Sequence, residues 1–134
     1  WLVGALGFGD AAASPARLLA GALALAAGLY VLHRSHADLG TNWSNTLELK
    51  HGHTLVTRGV YRRVRHPMYA ALLLHGVGQA LVVPNWLAGP SFLVPFAVLV
   101  AVRLRPEERM MREAFGAAWD AYAATTRRLV PLIW

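Results

Sequence analysis

The chain has 134 residues, which fits one domain; 56% of them are hydrophobic and only 15% charged. Soluble domains carry about 25% charged residues, so this deficit, with a mean hydropathy of +0.39, points to a membrane protein. The absence of cysteine excludes disulfides and thiolate metal sites, and the net charge of +6 lies in basic blocks beside apolar runs, which fits one flank of a membrane protein and argues against nucleic acid.

The chain opens with WLVGALGFGD. It lacks an initiator Met and a basic leader, so it does not read as a signal peptide. Residues 1–9 read instead as the end of an earlier apolar segment, and the sequence is expected to begin inside a longer protein. Ser14-Pro15 is a helix start, with a capping hydroxyl and a proline suited to the first turn. The segment 16–32 that follows is apolar apart from Arg17. It is long enough, at the short end, to cross a bilayer, and its Ala and Gly content suits close helix packing in lipid.

Between Pro67 and Val102 lie 36 residues without Asp, Glu, Lys or Arg. A single helix of that length would measure about 54 Å, against a hydrocarbon core of about 30 Å. Val-Pro-Asn-Trp at Val83–Trp86 supplies a turn and an interfacial aromatic. Two antiparallel spans, 67–83 and 86–103, joined by a tight hairpin, are therefore predicted. Pro90 and Pro95 predict a kink or a broken start in the second. The region 33–66 holds six Lys/Arg and two acids, the tail from Arg103 six and four, and the Pro84-Asn85 turn none. The positive-inside rule then makes 33–66 and 104–134 cytoplasmic. In the tail, Met110, Met111, Ala114, Phe115, Ala118 and Tyr122 fall at helical spacing between charges, which predicts an amphipathic helix on or leaving the membrane. The fold class is all-α, an integral membrane helical protein of one domain.

The chemistry-bearing residues gather at one end of the hairpin. Arg58, Arg62, Arg63, Arg65 and His66 run directly into the uncharged span, and RLRPEERM closes it. Arg103 and Glu107 share a helix face; their spacing suits an i,i+4 ion pair, and Arg103 equally suits a snorkelling terminal charge. Glu107-Glu108 reads either as local charge balance or as a pair that receives a cationic ligand or a ribose diol. The histidines form no metal-ligand pattern, so no metal is expected. His75, in mid-span, reads as a hydrogen-bonding partner for a neighbouring helix. No Ser-His-Asp or Cys-His arrangement and no glycine-rich phosphate loop after a strand is present, which excludes a soluble Rossmann methyltransferase or dehydrogenase.

HTLVTRGVYRRVRHPMY, the uncharged hairpin, RLRPEERMMREAFGAAWDAYAATTRRLVP and the earlier DLGTNWS together resemble the isoprenylcysteine carboxyl methyltransferase family, in its short archaeal and bacterial form. The resemblance implies S-adenosylmethionine as cofactor, with S-adenosylhomocysteine as product, in a cytoplasm-facing pocket. It implies cofactor contacts at His53, Thr54, Leu55 and Val56, at Tyr61, at His66, Pro67, Met68 and Tyr69, and at Glu107. Arg103 matches the arginine assigned to the acceptor carboxylate, and the methyl acceptor comes from the membrane lipid. A carboxylate acceptor, with a usual pKa of about 3.5, is already ionised at neutral pH and needs no general base. A phospholipid amine or small thiol would need one, with His66 or Glu108 as candidates. A reductase using a nicotinamide and a non-enzymatic lipid-binding module are the readings from other classes.

Overall fold

The computed structural model describes residues 12–42 and 54–130. Its first helix, α1, spans Pro15–Leu39. Ser14 Oγ accepts from the Arg17 backbone N–H at 3.2 Å, and Pro15 occupies the first turn, as the sequence predicts. The helix runs past Leu32, however. Its last turns are polar but helix-compatible, and Arg34 and Asp38 close an i,i+4 pair at 3.0 Å. It ends at Gly40, whose φ of 56° is a conformation that side chains with a Cβ rarely adopt.

α2 spans Pro67–Val82, close to the predicted 67–83. It packs along α1 through glycines. A Cβ on Gly21 would lie 2.7 Å from Val82 Cγ2, and one on Gly78 would lie 2.7 Å from Leu25 Cγ. In lipid there is little hydrophobic force between helices, so this close backbone approach supplies the contact through dispersion.

The hairpin turn is built by side chains that satisfy backbone groups. Asn85 Oδ1 accepts from the N–H groups of Leu87 and Ala88 at 3.0 and 2.8 Å. Gln79 Nε2 donates to the carbonyls of Ala88 and Gly89 at 3.3 and 3.2 Å. A single 3₁₀ turn, Gly89–Ser91, then leads into α3, Leu93–Phe115. The second limb thus starts later than the predicted Trp86, because the Asn85 turn and Pro90 occupy the intervening residues; this is the broken start that Pro90 and Pro95 imply.

α3 continues without interruption from the apolar limb into the charged tail, with Pro106 inside it. Gly116, at φ 52°, ends it, and α4 spans Ala117–Thr125. The predicted amphipathic stripe from Met110 to Tyr122 is therefore divided between two helices. Helical spacing registers the period and is blind to the reversal at one glycine. Among the described residues no strand forms; one parallel bridge joins Val64 to Arg127. Val100, Leu104 and Leu129 form a small core with Tyr69, Leu73 and Phe96 packed on it.

The segments Pro15–Asn42 and Gly89–Phe115 are long and apolar enough to cross a membrane. Leu19, Leu23 and Leu29 on α1, and Val94, Val98 and Val102 on α3, are exposed. Such one-sided display of aliphatic side chains suits contact with lipid. The apolar part of α3 ends at Val102, since Arg103, Arg105, Glu107 and Glu108 follow at once.

Candidate functional site at the membrane seam

His66 is the N-cap residue of α2, and Pro67, fully buried, fixes its first turn. One turn into α2, Tyr69 presents its hydroxyl to Glu107 Oε1 and donates a hydrogen bond to it. One turn before Glu107 on α3, Arg103 Nη2 lies 3.4 Å from the same oxygen. The other oxygen, Oε2, is 3.6 Å from His66 Nδ1. Glu107 is thus the centre of a cluster formed by Tyr69, Arg103 and His66. The Glu107 side chain is 17% exposed and that of Arg103 38%, so the arginine keeps part of its fork open to the surroundings. The ion-pair reading of the Arg103–Glu107 spacing holds, and it leaves donors free for a ligand.

Glu108 has a different environment. Arg65 Nε donates to its Oε1 at 3.0 Å, and Arg128 donates through Nε to both oxygens and lies 2.9 Å from Oε2 through Nη2. Arg65 also donates to the carbonyls of Ala123 and Thr126, at 2.9 and 2.5 Å. These bonds tie the loop before α2, the body of α3 and the segment after α4 into one clasp. Backbone bonds reinforce it: Arg65 N–H to Arg127 O at 2.7 Å and His66 N–H to Arg128 O at 3.0 Å. Burial pushes the Glu108 carboxyl up, but the nearby His66 imidazole, the hydrogen bonds from Arg128 and Arg65 and the Arg65 charge outweigh it and hold it at about 2. This argues against Glu108 as a general base. A carboxylate that releases its proton so readily is a weak acceptor of one.

Among the described residues, two side-chain polar atoms in this region are buried without a hydrogen-bond partner, the Tyr61 hydroxyl and His66 Nε2. His66 Nε2 is 3.5 Å from Glu108 Oε1, a close polar approach that does not meet hydrogen-bond geometry. Tyr61 lies in the 3₁₀ turn Gly59–Arg62, and its backbone carbonyl accepts from the Tyr122 hydroxyl at 2.7 Å. Burial pushes the Tyr61 phenol well above its ordinary value, with Tyr122 and Asp38 adding to the effect. Asp38 anchors the turn by accepting from Val60 N–H at 2.9 Å. Gly59, at φ 60°, sits so close to the Asp38 carboxylate that a Cβ would collide with it.

The structure therefore brings together His66, Tyr69, Arg103 and Glu107, with Pro67 and Met68 at the helix start beside them and Tyr61 in the adjoining turn. Thr54 is exposed, and its N–H donates to Asn42 Oδ1 at 2.9 Å. Leu55 and Val56 are half-buried. His53 lies outside the described residues. The sequence reading did not find the clasp residues Arg65 and Arg128 or the anchor Asp38. Their signal was present, as Arg-Arg near the C-terminus and as the acid in His-Ala-Asp-Leu-Gly, but a lone charge in a sequence does not name its partner.

Residues 20–113 match the profile of the Isoprenylcysteine carboxyl methyltransferase (ICMT) family. The chain belongs to that family. Protein-S-isoprenylcysteine O-methyltransferase A of Arabidopsis thaliana is 35% identical over 81 residues, covering 60% of this chain and 41% of the relative. The protein-S-isoprenylcysteine O-methyltransferase of Schizosaccharomyces pombe is 26% identical over 111 residues, covering 81% and 47%. The solved structure of the eukaryotic intramembrane Ras methyltransferase ICMT superposes with a TM-score of 0.75 at 25% identity, over 84% of this chain and 41% of that one. The match spans less than half the length of each of these relatives. Family and fold agree with the all-helical, integral membrane architecture that the sequence predicts.

Proposed function

We propose that the chain is an S-adenosylmethionine-dependent methyltransferase. Its acceptor is lipophilic, with the carboxylate of an isoprenylcysteine-like molecule as the leading candidate. The observation that carries the reading is the Glu107 cluster at the seam between apolar and charged segments, with His66 Nε2 buried and without a hydrogen-bond partner among the described residues. Buried polar atoms without partners are rare in native proteins and ask for a ligand.

The residues fit the cofactor. Glu107 offers a carboxylate to an amino group or a ribose hydroxyl, and the Tyr61 hydroxyl and His66 Nε2 offer partners to a carboxylate or an adenine. When bound, S-adenosylmethionine supplies an activated methyl group on a sulfonium. The chain's own residues bind, orient and match charge, which is where an enzyme of this kind gains most of its rate. Arg103, part-exposed where the lipid ends, is suited to hold the acceptor carboxylate with the donors that Glu107 leaves open. An ionised carboxylate needs no base, in keeping with a Glu108 committed to Arg65 and Arg128.

Both basic regions face the cytoplasm in this reading. A cysteine in place of Asn85 should therefore react with an impermeant thiol reagent from outside the cell, and labelling from inside alone would reject the orientation. Calorimetric titration of the detergent-purified protein tests the activity class. S-adenosylhomocysteine should bind and NADPH should not; the reverse would favour a reductase, and silence from both would favour a lipid-binding module.

A further inference from the structure

The two sides of α3 carry different chemistry. Phe96, Val100, Leu104 and Glu107 face α2 and the seam. Val94, Val98, Val102, Arg105 and Arg109 lie on the other side, within an arc of about 80° at about 100° per residue. All five are exposed. The three valines cover about 12 Å of the helix axis, and the two arginines follow within the next two turns. An aliphatic stripe thus runs directly into a pair of cations at the level where the apolar part of the helix ends.

Neither arginine has a protein partner: among the described residues, the side chains of Arg105 and Arg109 form no ion pair or hydrogen bond. The other arginines of the helix are paired, Arg103 with Glu107 and Arg112 with Asp120. The nearest acids are engaged on the opposite side, where Glu107 meets Tyr69 and Arg103, and Glu108 meets Arg65 and Arg128. Glu113, one turn beyond Arg109, is exposed and pairs with neither. A single snorkelling arginine needs only water. Two arginines one turn apart, at the foot of an aliphatic stripe, match a phosphate joined to acyl chains. The length also fits, since one leaflet supplies about 15 Å of hydrocarbon, half of a core of about 30 Å.

We propose that this outer face of α3 is a binding site for an anionic phospholipid. The phosphate sits on Arg105 and Arg109, and an acyl chain lies along Val102, Val98 and Val94. Charge complementarity selects this occupant, because basic clusters just beyond a membrane span attract anionic headgroups. The valines that continue the cluster into the membrane suit a lipid and give nothing to a free phosphate. The site is on the side of α3 away from Glu107, so it stands independently of the methyl-transfer reading.

Native mass spectrometry of the detergent-purified protein tests the site, with dioleoyl phosphatidylglycerol and dioleoyl phosphatidylcholine supplied in equal amounts. The wild type should carry more of the anionic lipid. The ratio of the two adducts should fall about fivefold in Arg105→Gln or Arg109→Gln, and further in the double variant. Lysine at both positions should keep most of the preference. Arg63→Gln, which removes the same charge at an exposed position off α3, should leave the ratio unaltered. Inorganic phosphate at the lipid's concentration should displace neither lipid, and S-adenosylhomocysteine affinity should be the same in all variants. No preference in the wild type, or an unchanged ratio in the glutamine variants, would overturn the proposal. An equal loss in Arg63→Gln would overturn it by assigning the preference to net charge, and displacement by phosphate would reduce the site to a simple anion contact. A dimer that becomes a monomer in Val98→Asn would give the face to a second copy and overturn it too. Failure of the wild type to bind S-adenosylhomocysteine would strike the methyltransferase reading alone, and the lipid ratios would still decide this one.

Discussion

The two ends of the α2–α3 hairpin solve opposite problems. At the turn, side chains serve the backbone. Arg17 reaches from α1 to donate to the carbonyls of Ala80 and Val83 at 3.0 and 3.2 Å, covering the C-terminal end of α2. Asn85 and Gln79 complete the turn. At the seam, side chains serve one another through Arg65, Arg103, Glu107, Glu108 and Arg128, and among the described residues two buried polar atoms lack partners. A region whose side chains chiefly satisfy backbone groups is a scaffold. A region with charges to spare and polar atoms unmet is built for a ligand. The same division separates the adjacent carboxylates within the seam: Glu108 is held by the clasp arginines Arg65 and Arg128, whereas Glu107 is met by Tyr69, His66 and Arg103, whose side chain is 38% exposed.

The largest expected effect falls on the clasp. Glu108→Ala leaves Arg65, whose side chain is 9% exposed, without its carboxylate. Removal of one member of a buried pair destabilises by about 3 kcal/mol. The thermal midpoint in detergent should drop by several degrees, and tryptic cleavage at Arg127 and Arg128 should accelerate. An unchanged midpoint would show that the clasp contributes nothing.

Acid should act on the same contact. Glu108 is held at about 2, below its ordinary value of 4.5. A lowered carboxyl contributes stability above its unfolded value and loses it as pH falls through the folded one. The wild-type midpoint should therefore decline between about pH 4.5 and pH 2. Glu108→Gln, less stable throughout, should decline less over that window. Parallel curves would remove Glu108 as the cause.

Arg103→Lys sharpens the division between anchor and ligand grip. Lysine snorkels as well as arginine but cannot make two parallel bonds to a carboxylate. Expression and cofactor affinity should hold, while turnover of a carboxylate acceptor should fall about tenfold, or about 1.4 kcal/mol. Full activity would leave Arg103 as a membrane anchor.

The smallest effect belongs to the turn. Arg17→Ala removes bonds to part-buried carbonyls, worth about 1 kcal/mol, and should leave S-adenosylhomocysteine affinity unaltered. A loss of affinity there would break the contrast between the two ends.

Much of this was legible in the sequence because lipid imposes simple rules. The uncharged run from Pro67 to Val102, broken at Pro84-Asn85, sufficed for the hairpin, and the charges that bound it located the seam. The meeting of His66 and Tyr69 with Arg103 and Glu107 follows from folding that hairpin back on itself. Less visible was where helices end, since His33–Leu39 is polar yet helical and Gly116 divides a stripe that keeps its period. The clasp was illegible for a different reason. Arg65 and Arg128 are far apart in sequence, and Glu108 looks the same as Glu107 until the tail is laid along Val64–His66. His75 was noticed, but among the described residues it meets Phe92 edge-on rather than forming the expected hydrogen bond to a neighbouring helix.

The central claim is the division of labour between Glu107 and Glu108, and one paired measurement addresses it. S-adenosylhomocysteine affinity and thermal midpoint should be recorded for Glu107→Gln and Glu108→Gln side by side. Glu107→Gln is expected to weaken binding by about 1.5–3 kcal/mol, the scale of a charge-assisted hydrogen bond, with the midpoint near that of the wild type. Glu108→Gln is expected to lower the midpoint and to alter affinity far less. Equal affinities in the wild type and a folded Glu107→Gln protein would contradict the account.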